Sequence, residues 1–215
     1  MSTIAAETHL VIIRHGESGA QVGGFASGHS TCTGLSDLGR LQAAALRDRL
    51  ARTGELSAVD AVYTSLLTRA QETAAIVAPA FDGPTPSAEC DWCEIHAGEA
   101  EGLTYQEIRD RFPAADNAED VLDRHIPGGE TWAECYERVG KRLRQTASDH
   151  PGQRVVVFGH GGTIGASFVA LGGLELRASM AMIHEARNTS LTEWRWTGTS
   201  WRLVRYNDAA HLSDL

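Results

Sequence analysis

Short apolar runs alternate along this chain with stretches in which apolar residues recur every three or four positions. His9 to Ile13 (HLVII) reads as a short buried strand, and Val59 to Thr64 (VDAVYT) as another. Arg154 to Phe158 (RVVVF) places four apolar residues in a row, three of them valine. Such a run predicts a parallel strand covered on both faces. Between the runs, the spacing predicts a helix from Ser36 to Ala51, with Leu38, Leu41, Ala45 and Leu46 near one face and Ser36 as N-cap. Leu67 to Val77 reads as a helix that Pro79 ends. Thr131-x-x-Glu134 is a capping box opening a helix with Trp132, Cys135, Val139 and Leu143 at helical spacing. After Phe158 come a glycine-rich turn and a helix from Thr163 to Leu171. Ser190 to Trp196 and Trp201 to Tyr206 flank Thr197-Gly198-Thr199-Ser200 and predict a β-hairpin. Trp194 and Trp196 share one face of it, for packing or for a dimer contact.

Strands that alternate with helices predict an α/β fold, a three-layer sandwich with a mainly parallel central sheet flanked by helices. With 215 residues the chain is long enough for one domain, 1–215, with a sizeable core. The stretch from about 90 to 130 is rich in Glu, Asp and Ala and reads as a helical insertion over the sheet's edge and the active site. The formal net charge of −9 argues against nucleic acid or an anionic membrane as partner, but leaves room for arginines to dominate one pocket. No apolar run of about 18 residues occurs. No basic segment followed by an apolar stretch opens the chain. A soluble cytoplasmic protein is the expectation. Of the four cysteines, Cys90 and Cys93 form a CxxC pair that is half of a redox or zinc motif. No second CxxC or HxxxH completes it, so ordinary reduced thiols are expected.

In open α/β sheets, ligands bind beyond the carboxyl ends of the strands. The first strand ends in Arg14-His15-Gly16-Glu17-Ser18, the second leads into Arg69, and the RVVVF strand runs into Gly159-His160-Gly161-Gly162. If these strands are neighbours, two arginines and two histidines converge. Arginine's planar fork binds phosphate oxygens, and a neutral histidine attacks phosphorus. Glycines beside the histidines let the backbone approach and offer N–H donors. Fixed cations neutralise the transferring group, so this reading calls for no metal and no other cofactor. Taken singly, each motif has an ordinary reading: a surface Arg-His pair, a glycine turn, a solvated helix arginine. GHGG is not a P-loop, since no Gly-Lys-Ser/Thr follows. The joint placement at three strand ends is what argues for one site.

These residues, together with Leu35-Ser36-Asp37-Leu38-Gly39-Arg40-Leu41-Gln42-Ala43, Tyr63-Thr64-Ser65, Arg69-Ala70-Gln71-Glu72-Thr73-Ala74, Pro127-Gly128-Gly129-Glu130 and Asn188-Thr189-Ser190, resemble the histidine phosphatase superfamily, also called the phosphoglycerate mutase-like family. The resemblance spans nearly the whole chain and implies that fold. It implies His15 as the nucleophile that becomes phosphohistidine, with Arg14, Arg69 and His160 around the phosphoryl oxygens and Gly161 beside them. Glu94 of the pattern Glu94-x-x-x-Gly98-x-x-Glu101-Gly102 resembles the general acid, with Glu99 and Glu101 as runners-up. His15 must be neutral to attack, and Glu94 protonated when the leaving oxygen departs. Where the family commonly has Asn, three residues after Ser18, this chain has Gln21, whose amide still reaches phosphate. The segment from Gly23 to Thr33 is also unusual. Ser18, His29, Cys32 and His96 are candidates for the substrate rim, as are His184 and Arg187. His29 and Cys32 have ordinary loop roles as the alternative. His9, His125, His150 and His211 read as structural or surface residues. Asn207-Asp208-x-x-His211-Leu212 resembles a common family ending, without a physical reason visible in the sequence.

The implied activity is metal-independent hydrolysis of a phosphomonoester on a small phosphorylated metabolite. A mutase that returns the phosphoryl group is the alternative, and a non-catalytic phosphate-binding module a more distant one. Family mutases usually have a longer, more basic insertion. Here Arg109, Arg111 and Arg124 stand among many acids, which favours the phosphatase. The partner is the small phosphorylated substrate, with no nucleic acid or membrane, and a homodimer is open.

Overall fold

Six strands form one sheet in the order β3-β2-β4-β1-β5-β6: β1 (Thr8–Arg14), β2 (Ala61–Ser65), β3 (Ser87–Glu89), β4 (Arg154–Gly159), β5 (Leu191–Trp196) and β6 (Trp201–Asp208). The computed structural model describes residues 7–116, 121–183, 186–213 and 215. His184, Glu119 and Asp120 lie outside the described residues. β3, β2, β4 and β1 are mutually parallel, whereas β5 and β6 are antiparallel. The helices are α1 (Gly19–Gly23), α2 (Asp37–Thr53), α3 (Thr68–Val77), α4 (Tyr105–Arg111), α5 (Trp132–Asp149), α6 (Gly161–Ala170) and α7 (Leu176–Ile183). This is the expected α/β sandwich with a mostly parallel sheet between two helical layers. Among the described residues, no helix is long and apolar enough to cross a membrane.

The continuous apolar runs have a direct physical consequence. Successive strand residues point to opposite faces, so Leu10, Ile12, Val155 and Val157 pack beneath Val139, Leu143, Ile164 and Phe168 of α5 and α6. Val11, Ile13, Val156 and Phe158 pack on the other face, against Leu46 and Leu50 of α2 and Ala74 and Val77 of α3. All eight strand side chains are fully buried. On α2 the buried stripe is Ala43, Leu46 and Leu50, and it differs from the expected one. Leu38 and Leu41 are 42% and 57% exposed. The first turn of this helix is turned by its contacts with the loop after β1, which places Gly39 rather than a leucine inward. Ser36 caps it as expected, its hydroxyl accepting from the Gly39 N–H at 3.0 Å. The Thr131/Glu134 capping box also forms. On the hairpin, Trp194 is buried and donates from Nε1 to the Ser167 hydroxyl at 2.9 Å. Trp196 packs on Trp201, their ring centroids 5.5 Å apart.

Two departures bring chemistry to the strand ends. α6 begins at Gly161 rather than Thr163, because the Thr163 hydroxyl accepts from the His160 N–H at 3.1 Å and caps the first turn. The glycine-rich turn is therefore the start of the helix, where free backbone N–H groups point outward. The second departure is the close pass of α2 under the Arg14–Ser18 loop. A Cβ on Gly39 would lie 2.0 Å from the Glu17 carbonyl oxygen, and one on Gly16 would lie 2.5 Å from the Gly39 carbonyl oxygen. The Gly39→Ala variant should shift this loop and lower stability by about 1–3 kcal/mol, the usual cost of overpacking. Thermal unfolding beside wild type checks this, and an unchanged midpoint would show that the two segments can separate freely.

Candidate active site

The loop after β1 is held before it does any chemistry. The Gly16 N–H donates to the Thr73 hydroxyl at 3.0 Å, the Glu17 N–H to Gln42 Oε1 at 2.9 Å, and the Ser36 hydroxyl to Glu17 Oε1 at 2.6 Å. Glu72 accepts from the Leu35 N–H at 2.8 Å and from Arg40 Nε at 2.7 Å. From the other side, Thr189 sits in the left-handed region (φ 56°), and its N–H reaches the carbonyls of Arg14 and His15 at 3.0 and 3.3 Å. Its hydroxyl is 2.8 Å from His211 Nε2, and Asn207 Oδ1 accepts from the Arg187 N–H at 2.7 Å. The C-terminal residues with no reason visible in the sequence thus brace the loop after β1.

β1 and β4 are neighbours in parallel register, with Arg14 opposite Gly159, which sets His15 beside His160. The two ring centroids are 5.1 Å apart. His15 Nδ1 lies 2.6 Å from the Gly16 carbonyl oxygen. A carbonyl only accepts, so Nδ1 carries the proton and Nε2 keeps its lone pair. Arg69 Nε donates to that Nε2 at 3.2 Å. Burial holds the His15 pKa well below its ordinary value, and the charges of Arg69 and Arg14 lower it further. His160 is lowered in the same way, first by burial and then by Arg69. Both its ring nitrogens are buried and have no hydrogen-bond partner among the described residues. A buried polar group of this kind calls for a polar ligand. Burial also lowers the Arg14 pKa, without removing its charge.

Glu94 enters from the segment after β3. Its Oε2 accepts from the Gly162 N–H at 3.2 Å and its Oε1 from the Ile95 N–H at 3.2 Å. A Cβ on Gly162 would come within 2.1 Å of Oε1, so this carboxylate needs glycine at the start of α6. The alternative acids are engaged elsewhere. Glu99 pairs with Arg111 at 2.9 Å. Glu101 accepts from the N–H groups of Ser30 and Thr31 at 2.6 and 3.0 Å, which ties down the 28–31 loop.

Arg14, His15, Ser18, Gln21, Arg69 and Glu94 line one cavity of about 290 Å³. Gln21 shares hydrogen bonds with Asn188, and Asn188 Nδ2 donates to the His15 carbonyl at 2.9 Å. Ser18 caps α1 in a capping box with Gln21. Cys32 touches Arg69 rather than the cavity, its Sγ 3.4 Å from the Arg69 N–H. His29 and His96 line a second cavity, which shares Glu94 and Ile95 as a wall. Sequence reasoning missed the apolar wall of the first cavity, formed by Phe25, Ile95, Tyr105 and Trp132. It also missed Arg138, which binds Glu130 at 2.6 and 2.8 Å and donates to the carbonyls of Cys90, Asp91, Cys93 and Glu94. That clamp fixes the backbone on which Glu94 stands. Only the charge of Arg138 at helical spacing from Glu134 was visible beforehand, and it suggests a solvated face.

Two buried imidazoles with two arginines, at the carboxyl end of a parallel sheet, make the site of an α/β enzyme that handles a phosphoryl group. The chain belongs to the histidine phosphatase superfamily, branch 1, whose family model matches residues 10–209. It is 32% identical over 209 residues to phosphoglycerate mutase-like protein 4 of Arabidopsis thaliana, covering 95% of this chain and 87% of that relative. It is also 32% identical to a metal-independent phosphoserine phosphatase of Arabidopsis thaliana, over 97% of this chain and 84% of the relative. Among solved structures, a mycobacterial glucosyl-3-phosphoglycerate phosphatase in complex with VO3 superposes with a TM-score of 0.78 at 29% identity, covering 93% of this chain and 98% of that one. With the family and these phosphatase relatives behind it, the chain is a phosphoric monoester hydrolase.

The buried histidines in and around the loop after β1 make stability depend on pH. Burial depresses the His211 pKa from 6.5 to about 4. Between these values the unfolded chain binds more protons than the folded one, so stability falls as pH drops from about 6.5 toward 4. His15 and His160, also depressed, add to the same slope. Thermal midpoints measured across this window should decline with acid, and His211→Asn should flatten the decline without abolishing it. An unchanged slope in the variant would remove His211 from this account.

Proposed function

We propose that this histidine phosphatase hydrolyses a small phosphomonoester in two steps through a phosphohistidine on Nε2 of His15, without a catalytic metal. The observation that carries this reading is the hydrogen bond from His15 Nδ1 to the Gly16 carbonyl, which leaves the Nε2 lone pair facing the arginine-lined pocket. In the first step the Nε2 lone pair attacks phosphorus and the bond to the ester oxygen breaks. That oxygen takes the proton of the Glu94 carboxyl group. In the second step the Glu94 carboxylate takes a proton from water. The water oxygen bonds to phosphorus, the N–P bond breaks, and neutral His15 and inorganic phosphate remain. Arg14, Arg69 and His160 hold the non-bridging oxygens, with Gln21 and the N–H of Gly161 at the pocket's edge. The two arginine charges are in place before substrate arrives, so little reorganisation opposes the transfer.

A cavity of about 290 Å³ supports a compact substrate, since it stands at the small end of ligand sites, which run roughly 300–1,000 Å³. Its lining divides into a cationic floor and a wall of Phe25, Ile95, Tyr105 and Trp132. Phosphoserine, phosphoglycerate and glucosyl-3-phosphoglycerate, the compounds named for the relatives, match that size and charge. Phosphate release from a panel of these, sugar phosphates and p-nitrophenyl phosphate should persist in EDTA. It should vanish in His15→Ala, and Glu94→Gln should lower kcat by roughly 100- to 10,000-fold. Turnover that needs added metal, or that survives His15→Ala, would defeat the proposal.

A further inference from the structure

His29 and His96, which line the second cavity, stand beside two cysteines outside its lining, and phosphate hydrolysis uses none of the four. Cys90, Asp91 and Trp92 form one 3-10 turn, closed by the Cys93 N–H donating to the Cys90 carbonyl at 2.8 Å. Donor atoms of His29, Cys90 and Cys93 lie within 4.8 Å of one another. Cys90 Sγ is 3.7 Å from His29 Nε2 and 3.6 Å from His96 Nε2. The two imidazoles meet edge to face, their centroids 5.6 Å apart. Cys90 and Cys93 are free thiols, and two histidines stand near Cys90 as partners. They come from one loop far away in the chain and from the next three-residue step after Cys93.

We propose that His29, Cys90 and Cys93 hold Zn2+, with His96, which lies outside that compact group but 3.6 Å from Cys90 Sγ, moving in to complete a tetrahedral site. Zinc binds thiolate sulfur at about 2.3 Å and imidazole nitrogen at about 2.0–2.1 Å, so tetrahedral angles put N and S about 3.5 Å apart. The two measured N···S distances are close to that spacing. Surrounding groups already orient the ligands, as outer partners do in metal sites. Glu130 stands 3.6 Å from His96 Nδ1, the ring nitrogen that does not face Cys90. The Ser65 hydroxyl accepts from the Leu67 N–H at 3.1 Å, which leaves its own proton for Cys93 Sγ at 3.3 Å. Arg138 holds the carbonyls of Cys90 and Cys93, and its charge is met by Glu130. Two thiolates neutralise the ion. His29 is exposed and Cys90 and His96 are partly so, which leaves an entry path past the buried Cys93. Glu94 lies between two of the ligands in the chain, so a bound ion would join the 28–31 loop to the segment that carries it.

Metal binding is read without turnover, so it stands or falls independently of the chemistry at His15. Reduced, metal-free protein would be titrated with Co2+, then with Zn2+. One Co2+ per chain is expected, with thiolate-to-cobalt charge-transfer absorption and tetrahedral visible bands that Zn2+ abolishes. Cys90→Ser and His29→Ala should each weaken binding by more than the roughly 10–100-fold typical of losing an outer-shell partner. Cys32→Ser should keep the full spectrum. His29→Ala changes only an exposed loop residue, so it keeps the test decisive if the cysteine variant fails to fold. Absence of thiolate absorption, or binding unmoved by both substitutions, would overturn the site.

Discussion

A proton on one ring nitrogen organises this molecule. The 2.6 Å contact between His15 Nδ1 and the Gly16 carbonyl assigns the proton to the inner nitrogen and leaves the outer one as a base. It works only while the Gly16 carbonyl points at the ring. That direction depends on the N–H of Gly16 on Thr73, on Glu17 held by Ser36 and Gln42, and on a helix that passes under the loop because Gly39 lacks a side chain. The two arginines and the burial that keep His15 neutral act on a ring already oriented. Electrostatics keeps His15 neutral; packing decides which of its nitrogens carries the proton.

The core of the site was legible because it sits at strand ends, and strands announce themselves by continuous apolar runs. Arg14, His15, His160 and, at the second position of a helix, Arg69 follow from that rule alone once the strands are neighbours. Glu94 was reached by resemblance; nothing in its own local sequence distinguishes it from Glu99 or Glu101, and the structure separates them by what each one touches. What stayed hidden was long-range and aperiodic. Arg138 looks like an ordinary helix arginine until its carbonyl clamp is seen. His29 and Cys90 are 61 positions apart, and no spacing rule connects them. Leu38 and Leu41 were misplaced for a related reason: a helix pattern gives the apolar stripe, but the contact of the first turn with a loop sets its rotation.

Charged groups do structural work away from the pocket. Arg49 reaches both Glu55 and Asp208, and Arg205 reaches Glu55 and Glu193, joining α2 to the antiparallel edge of the sheet. These side chains are largely buried, so each pair must meet its desolvation cost with several hydrogen bonds, and the bidentate contact of Arg49 with Asp208 supplies two. The same network sits beside His211 and thereby beside Thr189. The acidic surplus of the chain thus coexists with a cationic pocket: Arg49 and Arg205 are paired with carboxylates in this girdle, whereas Arg14 and Arg69 line the cavity.

Thr189, in its left-handed turn, fastens the carbonyls of Arg14 and His15, and His211 in turn fastens Thr189. His15 follows β1, whereas Thr189 comes only after β4 and His211 only after β6. The histidine loop therefore stays unlatched until the segments carrying Thr189 and His211 reach it. The antiparallel hairpin docks beside β1 and closes the circuit between segments far apart in the chain.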